Sequence, residues 1–120
     1  MTRFEASDPR ERLGLVVDAI TAHRKRDSEG VVLESDGGRV EYADRTLTLT
    51  LTDDQRGRLD DLLSEFPVFK VEQPATRKAP EGVVHVAAIA DPKHAADFVE
   101  ACFRQVFGAD EGYQLRVVRV

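Results

Sequence analysis

One cysteine and no tryptophan occur among the 120 residues of this chain, and the scarcity of thiols excludes the most. A lone Cys102 cannot close an internal disulfide, so stability has to come from a buried core, and such sparing use of cysteine fits a cytoplasmic protein. Long hydrophobic runs are missing too. No stretch could span a bilayer, and Met1-Thr2-Arg3-Phe4-Glu5 lacks the apolar run of a signal peptide, so no membrane partner is expected. Positive charge is in short supply: 17 Lys and Arg against 22 Asp and Glu leave a formal net charge of −5. A chain of that sign repels nucleic acid. Zinc spacings such as CxxC or HExxH are absent, and no cofactor is expected.

What is present reads as a single α+β domain over residues 1–120, a length that can bury a core without staples. Val83-Val84-His85-Val86-Ala87-Ala88-Ile89-Ala90 is the longest apolar run and predicts a strand buried on both faces. Asp91-Pro92 then caps a helix carrying apolar residues at Ala95, Phe98, Val99, Cys102, Phe103, Val106 and Phe107, which Gly108 stops. Tyr113 to Val120 predicts a last strand. Upstream, Met1 to Ser7 is a loose lead-in, and Asp8-Pro9 opens a first helix. Its stripe is Leu13, Val16, Val17 and Ile20. Val31 to Leu33, Val40 to Tyr42 and Thr46 to Leu51 predict three strands joined by turns at Asp36-Gly37-Gly38 and Asp44-Arg45. In the third, leucines face one way and threonines the other.

Thr52 and Gln55 form a capping box for a second helix with Leu59, Leu62, Leu63 and Phe66 inward. Pro67 ends it, and Val68 to Val71 predicts a short edge strand. The order is therefore α-β-β-β-α-β-β-α-β, a two-layer domain with a mainly antiparallel sheet and helices packed on it. The alternative is a ferredoxin-like βαββαβ unit from residue 46, preceded by a helix and a hairpin. The two compete for the same strand: ferredoxin-like packing already gives Thr46 to Leu51 two neighbours, and the Asp44-Arg45 turn demands a hairpin partner as well. The helix–meander–helix order also resembles small secretion chaperones, in fold alone.

Few residues could carry chemistry. His85, Asp91 and His94 are the one grouping with ligand or acid–base character. Mid-strand His85 and helix-capping Asp91 are held apart, roughly 20 Å along extended chain. Cys102 lies inside an apolar stripe, where a thiol is a poor nucleophile. Asp36-Gly37-Gly38-Arg39 lacks the lysine and following helix of a phosphate loop. No catalytic residue is assigned, and an enzyme is not the favoured reading. The candidates for ligand binding are His85, His94 and, on the proline-bearing loop from Gln73 to Glu81, Arg77 and Lys78.

Arginine outnumbers lysine, and valine and alanine largely replace isoleucine. With strings such as Val40-Glu41-Tyr42-Ala43-Asp44-Arg45-Thr46-Leu47-Thr48-Leu49 and Asp91-Pro92-Lys93-His94-Ala95-Ala96-Asp97-Phe98-Val99, the chain resembles small uncharacterised proteins of halophilic archaea. That resemblance implies a cytoplasmic protein working in concentrated KCl and brings no activity with it. The residues favour a non-enzymatic protein-binding or regulatory domain, partnered by another protein or by itself. Its homodimer would form through the 113–120 strand, whose apolar residues fall on both faces. One alternative is a small-molecule or nucleotide binder, and potentially an enzyme, using His85, His94 and the 73–81 loop. Another is nucleic-acid binding through Arg24, Lys25, Arg26, Arg77 and Lys78.

Overall fold

Side-chain caps decide where each helix begins. The computed structural model describes residues 5–26, 30–35, 37–43, 45–71 and 82–119, the last by its backbone alone. Asp8 Oδ1 accepts from the N–H groups of Arg10 and Glu11 at 2.9 and 3.2 Å, and helix α1 (Pro9–Arg26) starts there. The predicted capping box is formed at the head of α2 (Asp53–Glu65): Gln55 N–H donates to Thr52 Oγ1 at 3.2 Å, and Thr52 N–H to Gln55 Oε1 at 3.0 Å. Asp91 Oδ1 accepts from His94 N–H at 2.7 Å at the head of α3 (Pro92–Ala101). Beyond α3 the predicted helix continues, but as a π-helical turn (Cys102–Val106) closed by Phe107 N–H to Cys102 O at 3.0 Å. The wider turn keeps Cys102, Phe103 and Val106 buried while setting Phe107 against Gly38.

Seven strands, β1 (Glu5–Ala6), β2 (Val31–Ser35), β3 (Gly38–Ala43), β4 (Thr46–Thr50), β5 (Lys70–Val71), β6 (Val83–Ala87) and β7 (Leu115–Arg119), form one sheet. Its spatial order is β1-β7-β2-β3-β4-β6-β5, and every pairing is antiparallel. The predicted order of elements is found, with β1 added in the stretch read as a lead-in. Two-residue turns join β2 to β3 and β3 to β4, as Ser35↔Gly38 and Ala43↔Thr46 pair across them, and Arg45 takes a φ of 61° in the second. The predicted edge strand is the edge, since β5 ends the sheet.

The competition for Thr46 to Thr50 is resolved by displacing a different strand. β4 pairs with β3 on one side and β6 on the other, so β4-β6-β5 has the split β-α-β arrangement of a ferredoxin-like half. The β2–β3 hairpin occupies the place a ferredoxin-like sheet gives to its last strand, and β7 docks beyond it against β2. A full ferredoxin-like unit from residue 46 is therefore not formed.

The three helices among the described residues contribute to one core cluster with one face of the sheet: Leu33, Val40, Leu49 and Val84 in one row, Val31, Tyr42, Leu47 and Val86 in the next. No described helix covers the opposite face. Here two expectations change. Strand β6 is not buried on both faces: Val84 and Val86 are inward, while Val83, His85 and Ala87 are half-buried and Ile89 is 66% exposed. The stripe of α1 is also rotated. Leu15, Val16, Ala19, Ile20 and His23 are buried along with Arg12, and Leu13 and Val17 are left half-buried at the edge.

A Cβ on Gly38 would overlap the Phe107 ring. We expect Gly38→Ala to cost about 1–3 kcal/mol, as overpacking does, measured as a lower urea midpoint at unchanged slope. A Cβ on Gly57 in α2 meets nothing within 4 Å, and Gly57→Ala should raise stability by about 0.5–1 kcal/mol.

Candidate functional site

The densest polar cluster lies inside the core, not in a cleft. Arg12 is fully buried in the first turns of α1, and all five guanidinium N–H donors are used. Nε and Nη2 grip the Glu100 carboxylate on α3 at 3.0 and 2.8 Å. Nη1 donates to the Ser7 and Tyr113 carbonyls at 2.7 and 2.9 Å, and Nη2 also to Glu111 O at 2.8 Å. The guanidinium lies 3.9 Å from the centroid of the Tyr113 ring, whose hydroxyl donates to Glu100 Oε1 at 2.6 Å. Burial works against the Arg12 charge, and the bond to Glu100 and its negative charge overcome that and raise its pKa. Desolvation, then the Glu100 bond and charge, push the Tyr113 phenol well above its ordinary value. This cluster holds elements together and keeps its protons at physiological pH. Sequence reasoning missed it. The one signal was an arginine at helical spacing from the buried Leu15, Val16 and Ala19.

The sequence-derived candidates are not brought together. His85 stands on the uncovered face of the sheet, half-buried, its Nδ1 3.1 Å from Thr48 Oγ1. The cross-strand row runs Glu41, Thr48, His85, which places Glu41 two strands away from the imidazole. His94 is on the other side of the sheet. Its ring stacks on Phe69 at 5.3 Å and meets Phe66 at 5.9 Å, extending an aromatic cluster in which Phe69 and Phe98 stack at 4.3 Å. Asp91 caps α3. Arg77 and Lys78 lie outside the described residues. Arg24 is engaged as well: its Nη2 donates to Tyr42 Oη at 2.9 Å and to Ala90 O at 2.8 Å. His23 is buried with its ring edge-on to Tyr42. Burial raises the Cys102 thiol pKa strongly, as its place in the stripe implies. Among the described residues no group of three or more His, Cys, Asp or Glu could hold a metal ion.

Two surface features lie near the ends of the sheet strands and on its far face. A cleft of about 350 Å³ opens between the β2–β3 turn and the approach to β7, lined by Ser35, Phe107, Asp110, Tyr113 and Gln114 among others. Much of its polar lining is already engaged. Ser35 Oγ accepts from Gly37 N–H at 3.3 Å, Tyr113 is tied to Glu100, and Gln114 donates to the Glu5 carboxylate. The second feature is the β7–β2–β3 half of the uncovered face. Arg39 lies 3.9 Å from Glu34 and 3.5 Å from Glu41, and Arg116 lies 3.5 Å from Glu34. These described side chains sum to no net charge, and Val118 beside them is 57% exposed. Strand β7 itself is not an outer strand, since Leu115 and Arg116 pair with β1 on one side and the strand pairs with β2 on the other.

No helix among the described residues is long and apolar enough to cross a membrane. In comparisons with known proteins, a family of unknown function, DUF7975, matches residues 1–120. No curated protein and no solved structure matches the chain.

Removing one partner of the buried pair leaves the other charge uncompensated, so Glu100→Ala should cost about 3–5 kcal/mol in denaturant unfolding. The phenol supplies a pH signature. Above pH 10, near the ordinary value of an unfolded tyrosine, the native chain still holds the Tyr113 proton, so stability must fall as pH rises. Tyr113→Phe should flatten that fall in melts taken from neutral pH to above pH 10.

Proposed function

The chain belongs to DUF7975, a family of unknown function, and we propose that it is a cytoplasmic protein-binding domain without catalytic activity. It docks through the sheet face that no described helix covers, and its partner is a second copy of itself. The observation that carries this reading is the β7–β2–β3 half-face, where the described charges of Glu34, Glu41, Arg39 and Arg116 balance and Val118 is exposed. On a chain of net charge −5, most approaches of one copy to another are repulsive. At this face the acids of one copy can meet the arginines of the other, as a self-complementary two-fold contact requires.

The terminal strand thus contributes its face, through Val118 and Arg116, and not a free edge. If the chain works in the KCl-rich cytoplasm of a halophilic archaeon, screening over a Debye length on the order of 3 Å removes the long-range repulsion. Close pairing and apolar burial at the face then decide association. A buried thiol at Cys102 accords with a reducing compartment.

The test is a charge exchange followed by sedimentation and native mass spectrometry. Wild type should be dimeric. Arg39→Glu makes the patch acidic and Glu41→Arg makes it basic, so each variant alone should self-associate at least about tenfold more weakly. Mixed together, the two should restore a heterodimer. A monomeric wild type, or variants that dimerise as well as the parent, would overturn the proposal.

A further inference from the structure

The rotation of the α1 stripe leaves an apolar margin with no described element on it. Leu13 and Val17, one turn apart, are half-buried on the side of α1 that faces α3. With Gly14 and the buried Ala96 of α3 they line a groove of about 280 Å³ between the two helices. It lies in the helix layer, on the other side of the sheet from the face discussed above. Its rim carries Asp18, Asp97 and Lys93, a net negative edge.

Gly14 is the odd residue there. Glycine inside a helix costs about 1 kcal/mol relative to alanine, and here neither backbone nor packing calls for it. Its φ is not positive, and an added Cβ would meet nothing within 4 Å. What its missing side chain does is keep the groove open. With Ala96 across from it, the floor is low enough for another helix to approach at the usual interaxial distance of about 8–10 Å.

We propose that the α1–α3 groove receives an amphipathic helix of a partner protein, apolar on the seated face and basic along its flanks. Leucine-sized side chains at i and at i+3 or i+4 would sit between Leu13 and Val17 over Gly14 and Ala96. Lysines or arginines beside them would meet Asp18 and Asp97. An acidic helix would face two carboxylates against one lysine, on a chain that is acidic overall.

The probe is a fluorescently labelled synthetic helix of leucine and lysine with helical periodicity, read by anisotropy; its twin has glutamate for lysine. Wild type should bind the leucine–lysine helix saturably and the twin at least about tenfold more weakly. Gly14→Lys fills the groove and adds a repulsive charge at a site where helix propensity improves, so it stays folded and should weaken binding by about tenfold or more. Gly57→Lys puts the same charge on α2, and Arg39→Glu alters the sheet face; both should leave affinity within about twofold. Absence of saturable binding, equal affinity for the twin, or no loss with Gly14→Lys would each overturn the proposal. So would an equal loss with either control variant, which would mean general attraction or binding at the sheet.

Discussion

One guanidinium holds the ends of the fold to its middle. The bonds of Arg12 reach the segment before α1 through Ser7, helix α3 through Glu100, and the approach to β7 through Glu111 and Tyr113. Isolated burial of such a charge would be prohibitive, and what makes it tolerable is complete satisfaction of its donors together with a carboxylate in bidentate register. Lysine would supply a point charge and three donors, too few for this geometry. The same bonds position the two helices whose outer margin forms the groove at Leu13 and Val17. Packing against the sheet fixes how close α1 and α3 come; Arg12 fixes how they are aligned along their lengths.

Legibility of the fold followed how local its signals are. The capping box at Thr52 and Gln55, the Asp8 and Asp91 caps, and the Leu–Thr alternation of β4 are written within a few residues, and each is found in place. The features that escaped depend on partners distant in sequence. Arg12 looks like any first-turn arginine until Glu100 and Tyr113 are beside it. The alternation of β6 was hidden because Val83, Ala87 and Ile89 are apolar although they point away from the core. The α1 stripe was legible as apolar but not in its rotation, because Leu13 and Val17 satisfy the same period as the buried set. For the candidate sites, the histidines could be named from sequence. Their separation onto two sides of the sheet could not, since it depends on strand order.

Strand order came from a contest between short and long connections. Two-residue turns oblige β2, β3 and β4 to lie side by side, whereas the helical connections leave their strands free to land further off. β6 takes the remaining edge of β4, β5 closes that side, and β7 has to cross to the far edge of the hairpin. Splitting a ferredoxin-like arrangement in this way widens the sheet, and among the described residues no second helical layer accompanies it. One broad face therefore carries threonines, paired charges, His85 and the exposed Val118, with Val83 and Ala87 half-buried and Val32 buried in it.

The adjacency of β1 and β7 bears on how the chain matures as it is made. Among the described residues β1 has no ladder partner other than β7, and two of the carbonyls that receive Arg12 lie at Glu111 and Tyr113. While a ribosome is still extending the chain, the meander and the split β-α-β half can assemble from what has emerged. β1 stays unzipped until β7 arrives, and Arg12 stays hydrated until Glu111 and Tyr113 do. Vectorial synthesis thus makes the stretch from Glu111 to Arg119 the step that withdraws this charge from water, and a nascent chain stalled before it would keep the edge of β2 open to other strands.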